Sequence, residues 1–234
     1  MSTVALTESE SLAFIGDVPR PRQRLTRTAA EAAEFLAEVG GPVVAKVSGV
    51  AHKSDIDGVR AGLTAESLER TWTELAGLGD GTVLVAEQVG PIDFELIVGA
   101  FRDPQFGPVA MVGVGGIFAE VLSDVCFLAP PYTRRDVERA LRGLRAYDLL
   151  AGTRGRTGVD PTALTDLLTR LVAALNSSAS VKEIECNPVA VTAGALNVLD
   201  ALVVLADAEG LAPQTKGTNG DDNARASAGG RDHD

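Results

Sequence analysis

Two apolar runs, at residues 82–89 and 94–101, are separated by only four residues, Gly90-Pro91-Ile92-Asp93. A connection this short favours antiparallel pairing of the two predicted strands, because a parallel crossover needs about a dozen residues or more. Further strands are predicted at residues 43–47, 108–114, 181–186 and 196–205, with helices between some of them. Hairpins beside helices predict an α+β chain, mixed α/β in content, rather than a doubly wound parallel sheet.

Capping signals mark where the helices begin. Thr28 opens a capping box, and the helix after it is predicted to end near residue 39, before two glycines. Thr133 caps a helix to about residue 145, and the pair Asp160-Pro161 suits the N-cap and first position of a helix to about residue 176. A further helix is predicted to start near residue 64, where apolar residues recur at helical spacing.

The composition limits the classes of function. The 234 residues are 45% hydrophobic and 23% charged, as in soluble globular proteins of one large domain or two lobes. A net charge of −11 argues against a nucleic-acid-binding surface, whose affinity comes from Lys and Arg on phosphates. There is no signal peptide pattern and no apolar run of ~18 residues, so we expect a cytoplasmic protein that does not span a membrane. Cys126 and Cys186 lie in apolar runs and are expected to be free core thiols.

One lysine and one histidine stand close together after a predicted buried strand. The sequence has only two histidines, and His233 lies in a polar tail, so His52 is the candidate for histidine chemistry. Lys46 ends the strand, and its ammonium needs a partner because burial of an unpaired charge is costly. A phosphate is one such partner. The alternatives are a lysine that extends to solvent and a loop histidine without a role.

Polar side chains within apolar strands form two further pairs. Glu87 and Glu95 lie on the two strands of the predicted hairpin, where ribose hydroxyls or an adenine amino group would satisfy them. Antiparallel pairing of the last two strands would bring Asn187 and Asp200 together, and with phosphate oxygens they would suit Mg²⁺. The alternatives are exposed carboxylates on a half-buried sheet, a strand-capping Asn and an Asp satisfied by backbone donors.

Two basic, glycine-bearing loops, at residues 102–107 and 150–156, are open to two interpretations. Either loop would place arginines over phosphates, or both are solvated turns. Residues from about 211 onward are rich in Gly, Asn, Asp, Ser and Arg without an apolar period, and this tail is predicted to be disordered.

Three blocks in order carry a family resemblance: residues 43–55, which end in His52-Lys53-Ser54-Asp55, residues 102–117, and residues 183–188, Glu-Ile-Glu-Cys-Asn-Pro. From about residue 6 to residue 205 the chain resembles the ATP-grasp (beta) subunit of ADP-forming acyl-CoA synthetases. The resemblance implies an ATP-grasp fold, in which two lobes enclose a nucleotide. It places an N-terminal helical segment at residues 1–20, the N-lobe at 21–85 and the C-lobe at 86–210, with the tail at 211–234.

The resemblance also implies roles for individual residues. These are ATP-phosphate contact by Lys46, adenine binding by Glu87 and the backbone near Val89, ribose binding by Glu95, Mg²⁺ binding by Asn187 and Asp200, and a transient phosphohistidine at His52. Glu185 corresponds to a position associated with steering the phosphoryl group, and it is our candidate for the carboxylate that orients His52. Many relatives carry Asp there, and many carry two glycines where this chain has Asp57-Gly58.

Enzymes of this kind interconvert acyl-CoA, ADP and phosphate with the free acid, CoA and ATP. The implied cofactors are Mg²⁺ and ATP/ADP, and the implied partner is a CoA-binding (alpha) subunit on a separate chain, through which the carboxylic acid and CoA enter. Two rival functions are a stand-alone ATP-grasp carboxylate–amine ligase and a non-catalytic nucleotide-sensing module. The first gives no reason for the His52-Lys53-Ser54-Asp55 motif, and the second needs Lys46 but not His52.

Overall fold

A computed structural model describes residues 3–50, 53–116, 124–153 and 155–206. His52 and the predicted tail at 211–234 lie outside the described residues. Within these ranges the strands form two antiparallel sheets, one of seven strands and one of four. The two-sheet, mixed α and β architecture agrees with the predicted fold class.

The smaller sheet has the strand order β2-β5-β3-β4. Its strands are β2 (Gln23–Thr26), β3 (Val43–Val47), β4 (Val59–Leu63) and β5 (Val83–Glu87). Two helices, α2 (Ala29–Val39) and α3 (Leu68–Ala76), bury apolar side chains against the sheet. Thr28 caps α2 by accepting a hydrogen bond from the Glu31 backbone amide, as the sequence predicts. The predicted capping box is incomplete, because the Glu31 carboxylate accepts from the Arg27 amide and not from that of Thr28. Gly40 ends the helix in the left-handed conformation at φ 71°.

The single tryptophan of the chain belongs to this smaller core. Nε1 of Trp72 donates a hydrogen bond to Oγ1 of Thr26 at 2.8 Å, and that hydroxyl donates to the Val83 carbonyl, also at 2.8 Å. The indole is therefore fixed to both β2 and β5 by one relay through a buried threonine.

The larger sheet has the order β1-β11-β9-β6-β7-β8, and β10 also pairs with β9. Its strands are β1 (Thr3–Ala5), β6 (Phe94–Asp103), β7 (Gly107–Val114), β8 (Val125–Leu128), β9 (Val181–Thr192), β10 (Ala195–Val198) and β11 (Ala201–Ala206). Its helices are α1 (Glu8–Ile15), α4 (Arg134–Arg142), the short α5 (Tyr147–Leu150) and α6 (Pro161–Asn176). Asp160 caps α6, whose leucines at helical spacing are fully buried against the sheet.

The predicted hairpin of residues 82–89 and 94–101 is wrong. β5 and β6 belong to different sheets, so residues 88–93 connect the two sheets instead of turning a hairpin. The physical reason is that each strand buries its apolar side chains in a different core. Val83 and Val85 pack with α2 and α3, whereas Leu96 and Val98 pack in the core that contains α6. The predicted lobe boundary at residues 85 and 86 stands within β5, and the division into lobes stays a prediction.

Smaller differences concern element ends. α3 begins at Leu68 rather than near residue 64, and α4 ends at Arg142 rather than near 145. The strand predicted at 196–205 is interrupted at Leu199 and Asp200, which divides it into β10 and β11. No helix in the described part of the chain is both long and apolar enough to cross a bilayer.

Both cysteines are free thiols, as predicted. Burial, followed by the charges of Asp200 and Glu185, raises the pKa of Cys186 to about 12. Burial and the charge of Asp124 raise the pKa of the half-buried Cys126 to about 11.

Candidate functional site

The interruption between β10 and β11 brings two predicted site residues together. The backbone amide of Asn187 donates a hydrogen bond to the backbone carbonyl of Asp200 at 3.2 Å, and the backbone amide of Leu199 donates to the Pro188 carbonyl at 3.0 Å. β11 then continues the pairing with β9, from Ala201 opposite Cys186. The break thus places an amide side chain and a carboxylate at one point of the sheet, as the sequence predicts. Their role as metal ligands stays a prediction.

Asp200 is part of a network of four charged side chains, here called the ion cluster: Glu8, Lys46, Lys53 and Asp200. Oε1 of Glu8 lies 2.7 Å from Nζ of Lys46, and its Oε2 pairs with Nζ of Lys53. Nζ of Lys53 also lies 2.8 Å from Oδ2 of Asp200. Nζ of Lys46 donates a further hydrogen bond to the Leu199 carbonyl at the strand break. The ammonium group of Lys46, predicted to bind phosphate, is therefore already paired with Glu8 and the Leu199 carbonyl.

Local structure explains how each member reaches the ion cluster. Side chains alternate along β3, so Val43 and Ala45 face the smaller core and Lys46 faces away from it. Glu8 is the first residue of α1, where Thr7 forms a capping box with Glu10. The Val203 amide donates to Oγ of Ser11 at 3.0 Å, which fixes α1 against β11. The ion cluster consequently joins residues of both sheets.

A tight turn positions Lys53. Residues Lys53–Ile56 form a 3-10 turn, and the Gly58 amide donates to the Lys53 carbonyl at 2.8 Å. A Cβ on Gly58 would lie 2.5 Å from Cγ1 of Val47, so a side chain there would displace the turn. Asp57 has φ 55°, a left-handed conformation that glycine adopts without strain.

Burial makes the ion cluster a low-dielectric environment. Only 5% of the Glu8 side chain and 9% of the Lys46 side chain are exposed, while the side chain of Asp200 is 30% exposed. Burial disfavours the charged form of Lys53, but the carboxylates of Glu8 and Asp200 outweigh it and raise the pKa of Lys53. Burial and the Glu8 charge raise the pKa of Asp200, against the influence of the two lysines. With two carboxylates and two ammonium groups, the ion cluster has no net charge.

A cavity of about 340 Å³ opens beside the ion cluster and is lined by Glu8, Lys53, Glu185, Asn187 and Asp200, among other residues. Nδ2 of Asn187 donates to Oε1 of Glu185 at 3.2 Å. The amide nitrogen is thus engaged, and the amide oxygen is the atom that Asn187 can offer to a cation. The structure brings Glu185, Asn187 and Asp200 to one cavity.

The donor atoms at this cavity fit Mg²⁺ in kind. A carboxylate from Asp200 and an amide oxygen from Asn187 are hard oxygen ligands of the type that Mg²⁺ prefers. Within the described ranges, no three His, Cys, Asp or Glu side chains lie close enough to hold a metal ion by themselves. The donor set therefore fits a metal that takes its remaining oxygens from water and a phosphate ligand, as Mg²⁺ does.

The predicted adenine-binding residues lie at a second cavity, of about 410 Å³, whose lining includes Arg22, Glu87 and Val89. Nε of Arg22 lies 3.0 Å from Oε2 of Glu87, and this hydrogen bond lowers the pKa of Glu87. Among the described residues, the lining does not include Glu95. Glu95 lies on β6 beside Gly116, where an added Cβ would stand 2.9 Å from its Oε2. The structure thus brings Glu87 and Val89 together but not Glu95.

The two basic loops differ in what the structure says of them. Arg102 donates hydrogen bonds to the carbonyls of Leu175 and Ser178 at the end of α6, and to that of Val181. This engagement favours a structural role over phosphate binding for Arg102. In the second loop, Arg154 lies outside the described residues, and Arg156 donates to the Asp93 carbonyl.

Sequence reasoning missed Glu8 and gave Lys53 no role. A buried lysine requires an anionic partner, so Lys46 itself signals that one exists. Glu8 precedes Lys46 by 38 residues, and a helix-capping sequence accounts for the acidic residues around it. No local pattern therefore distinguishes Glu8 from Glu10. Lys53 stands within the motif that carries the resemblance, which is a signal that was present in the sequence.

Comparisons with known proteins give the context of this site. Residues 2–205 match the family described as ATP-grasp domain. The chain is 34% identical over 208 residues to the acetate–CoA ligase (ADP-forming) I subunit beta of Pyrococcus furiosus, a match that covers 85% of this chain and 90% of that protein.

Solved structures of dinucleotide-forming acetyl-coenzyme A synthetase 1 from Ca. Korarchaeum cryptofilum are also similar. A complex with coenzyme A and Ca-AMPCP has a TM-score of 0.78 and 35% identity, and covers 86% of this chain and 93% of that chain. A complex with coenzyme A and Mg-AMPPCP has a TM-score of 0.73 and 36% identity, and covers 86% and 92%. In that complex, a phosphohistidine segment points towards the nucleotide-binding site.

Proposed function

The chain belongs to the ATP-grasp family, and within it to the beta subunits of ADP-forming acetate–CoA ligases, and on this premise we propose how its residues divide the reaction. The protein is the ATP-grasp subunit of an ADP-forming acid–CoA ligase. The observation that carries the proposal is the convergence of Lys53, Glu185, Asn187 and Asp200 on one cavity, with Lys46 joined to it through Glu8.

The phosphates of ATP or ADP bind at this cavity. Lys46 supplies an ammonium that offsets the negative charge of the phosphates, and burial strengthens this effect because the local dielectric is low. Asn187 and Asp200 hold Mg²⁺ through their oxygen atoms. When bound, Mg²⁺ neutralises phosphate charge and aligns the phosphate oxygens for transfer.

The base and sugar of the nucleotide extend towards the second cavity. Glu87 and the backbone near Val89 bind adenine, and Glu95 binds the ribose hydroxyls. Glu87 and Val89 already line a common cavity, which supports the first of these assignments. The hydrogen bond from Arg22 lowers the pKa of Glu87, which favours the ionised carboxylate as an acceptor for the adenine amino group.

His52 carries the phosphoryl group. A ring nitrogen of His52 bonds to the γ-phosphorus of ATP while the bond from that phosphorus to the ADP oxygen breaks, and ADP leaves with the electron pair. Neutral imidazole suits this step because it is nucleophilic near neutral pH and its phosphorylated form stays reactive. Glu185, on the strand that also supplies Asn187, is the carboxylate proposed to orient the imidazole.

The partner is a CoA-binding (alpha) subunit on a separate chain, which brings the carboxylic acid and CoA to the reaction. The related Korarchaeum synthetase binds coenzyme A together with a nucleotide analogue, and the Pyrococcus relative is a beta subunit. In the direction of ATP formation, the phosphoryl group passes from a histidine of the partner to His52 and then to ADP.

The test uses the subunit co-expressed with its CoA-binding partner and γ-labelled ATP. The His52→Ala variant is expected to lose acid-labile, base-stable labelling of this chain and to lose overall turnover by about 10³-fold or more. Its Mg·ATP affinity is expected to stay near that of the wild type. His233→Ala, which changes the other histidine, is the matched control and keeps both activities. Full turnover by His52→Ala would contradict the proposal and favour the nucleotide-sensing function.

A further inference from the structure

The ion cluster contains charged groups that nucleotide binding does not itself require. We propose that Glu8 and Lys53 are internal counter-ions, with Glu8 in the place of a nucleotide phosphate and Lys53 in the place of the metal ion. Mg–nucleotide then binds by an exchange of ionic partners. This inference rests on the proposed function, because it takes Lys46 as a phosphate contact and Asp200 as a metal ligand.

Glu8 behaves as a substitute for a phosphate. Its two carboxylate oxygens each engage a different ammonium group, those of Lys46 and Lys53. Two ammonium groups held by one carboxylate lie close together and repel each other, so an anion between them is required. Since 9% of the Lys46 side chain and 12% of the Lys53 side chain are exposed, a phosphate can engage both only by replacing Glu8.

Lys53 behaves as a substitute for the metal ion. Its ammonium lies 2.8 Å from Oδ2 of Asp200, which is the position of a hydrogen-bonded cation on the proposed metal ligand. A divalent cation at Asp200 would be repelled by that ammonium. The metal therefore binds Asp200 only when Lys53 moves to another anion, and the incoming phosphate is such an anion.

Charge balance makes the two replacements interdependent. The ion cluster is neutral, with two carboxylates and two ammonium groups in a largely buried setting. A metal ion alone adds two positive charges and leaves Lys53 with Glu8 only, a carboxylate that it shares with Lys46. A phosphate alone adds negative charge beside the buried Glu8 carboxylate and takes its lysine partners. A buried charge without a partner is costly. When metal and nucleotide bind together, their opposite charges largely cancel, and Lys53 exchanges Asp200 for a phosphate oxygen, so the two ligands are expected to bind cooperatively.

The experiment measures two half-reactions by titration calorimetry: ADP binding in EDTA, and Mn²⁺ binding without nucleotide. Glu8→Gln is expected to raise the affinity for ADP in EDTA by about tenfold, because a like charge next to the phosphates is removed. Lys53→Met is expected to raise the affinity for Mn²⁺ alone by about tenfold, for the same reason with opposite sign. The matched controls are Glu10→Gln, in the same helix but exposed, and Lys182→Met, outside the ion cluster. Neither control is expected to change the affinity for ADP in EDTA or for Mn²⁺ alone.

The double variant Glu8→Gln/Lys53→Met guards against poor folding of the single variants, because it keeps the ion cluster neutral. It is expected to bind Mn²⁺ alone more tightly than the wild type does. Mn²⁺ is also expected to increase the ADP affinity of the double variant by a smaller factor than it increases that of the wild type. Unchanged or weaker ADP binding by Glu8→Gln would overturn the inference and make Glu8 a residue that only positions the lysines. Unchanged Mn²⁺ binding by Lys53→Met or by the double variant would also overturn it. Failure of the wild type to bind Mg·ADP would instead refute the proposed function.

Discussion

Replacement of Lys46 by methionine is a direct test of how much the ion cluster contributes to folding. Methionine has a similar length and an apolar end, so the change removes the ammonium group and leaves a small cavity at most. The Glu8 carboxylate, with 5% of its side chain exposed, then loses the partner at 2.7 Å and keeps only Lys53. The Leu199 carbonyl loses its lysine donor as well.

The expected loss in the free energy of unfolding depends on how well the Glu8 carboxylate is still paired after Lys46→Met. Removal of one partner from a buried ion pair costs about 3–5 kcal/mol when the remaining charge is uncompensated. Because Glu8 keeps Lys53 as a partner, although it shares that ammonium with Asp200, we expect a smaller loss in the free energy of unfolding, about 2–3 kcal/mol. For a chain of this size, each kcal/mol corresponds to roughly 2–4 °C, so Tm is expected to fall by about 5–10 °C.

A double-mutant cycle isolates the Lys46–Glu8 pair. Urea unfolding followed by circular dichroism gives the free energies for wild type, Lys46→Met, Glu8→Gln and the double variant. The double variant leaves neither charge of this pair unpaired, so it is expected to be more stable than the sum of the single costs by about 2 kcal/mol. A coupling below about 0.5 kcal/mol would refute the reasoning, since two groups in true contact are not additive.

Three further predictions concern the metal, the turn and the thiols. Asp200→Ala is expected to weaken Mg·ATP binding far more than metal-free ATP binding, and calorimetry that shows equal losses would contradict its role as a metal ligand. At the left-handed position 57, Asp57→Ala is expected to lower the free energy of unfolding by about 1 kcal/mol while Asp57→Gly does not, which thermal melts of the pair would decide. At pH 8, Cys126 and Cys186 have raised pKa values and stay protonated, so Ellman's reagent is expected to label them slowly in folded protein and fully in urea.

The sequence predicts well those features that depend on neighbouring residues. The helices after Thr28 and Asp160 start where their capping signals predict, because a cap is satisfied within three residues. The pairing that joins Asn187 to Asp200 also follows from a local turn between two strands. Such features need no knowledge of the rest of the fold.

Features that depend on distant partners were not predictable in this way. The run of residues 82–89 fits a hairpin with its neighbour by every local criterion, but α2 and α3 draw Val83 and Val85 into a different core. Lys46 is recognisable as a lysine that needs an anion, yet its partner Glu8 belongs to α1, 38 residues earlier in the chain. The tertiary structure, and not any local pattern, selects Glu8 rather than Glu10, the other acidic residue of that helix.

The relay from Trp72 through Thr26 to Val83 gives the protein an intrinsic optical probe. The chain has one tryptophan, and it lies in the core of the four-stranded sheet, so selectively excited indole emission reports on that sheet alone. Far-ultraviolet circular dichroism reports on both sheets together. If the two signals change at different denaturant concentrations, the sheets lose structure in separate steps, and the order of those steps can be read without attaching any label.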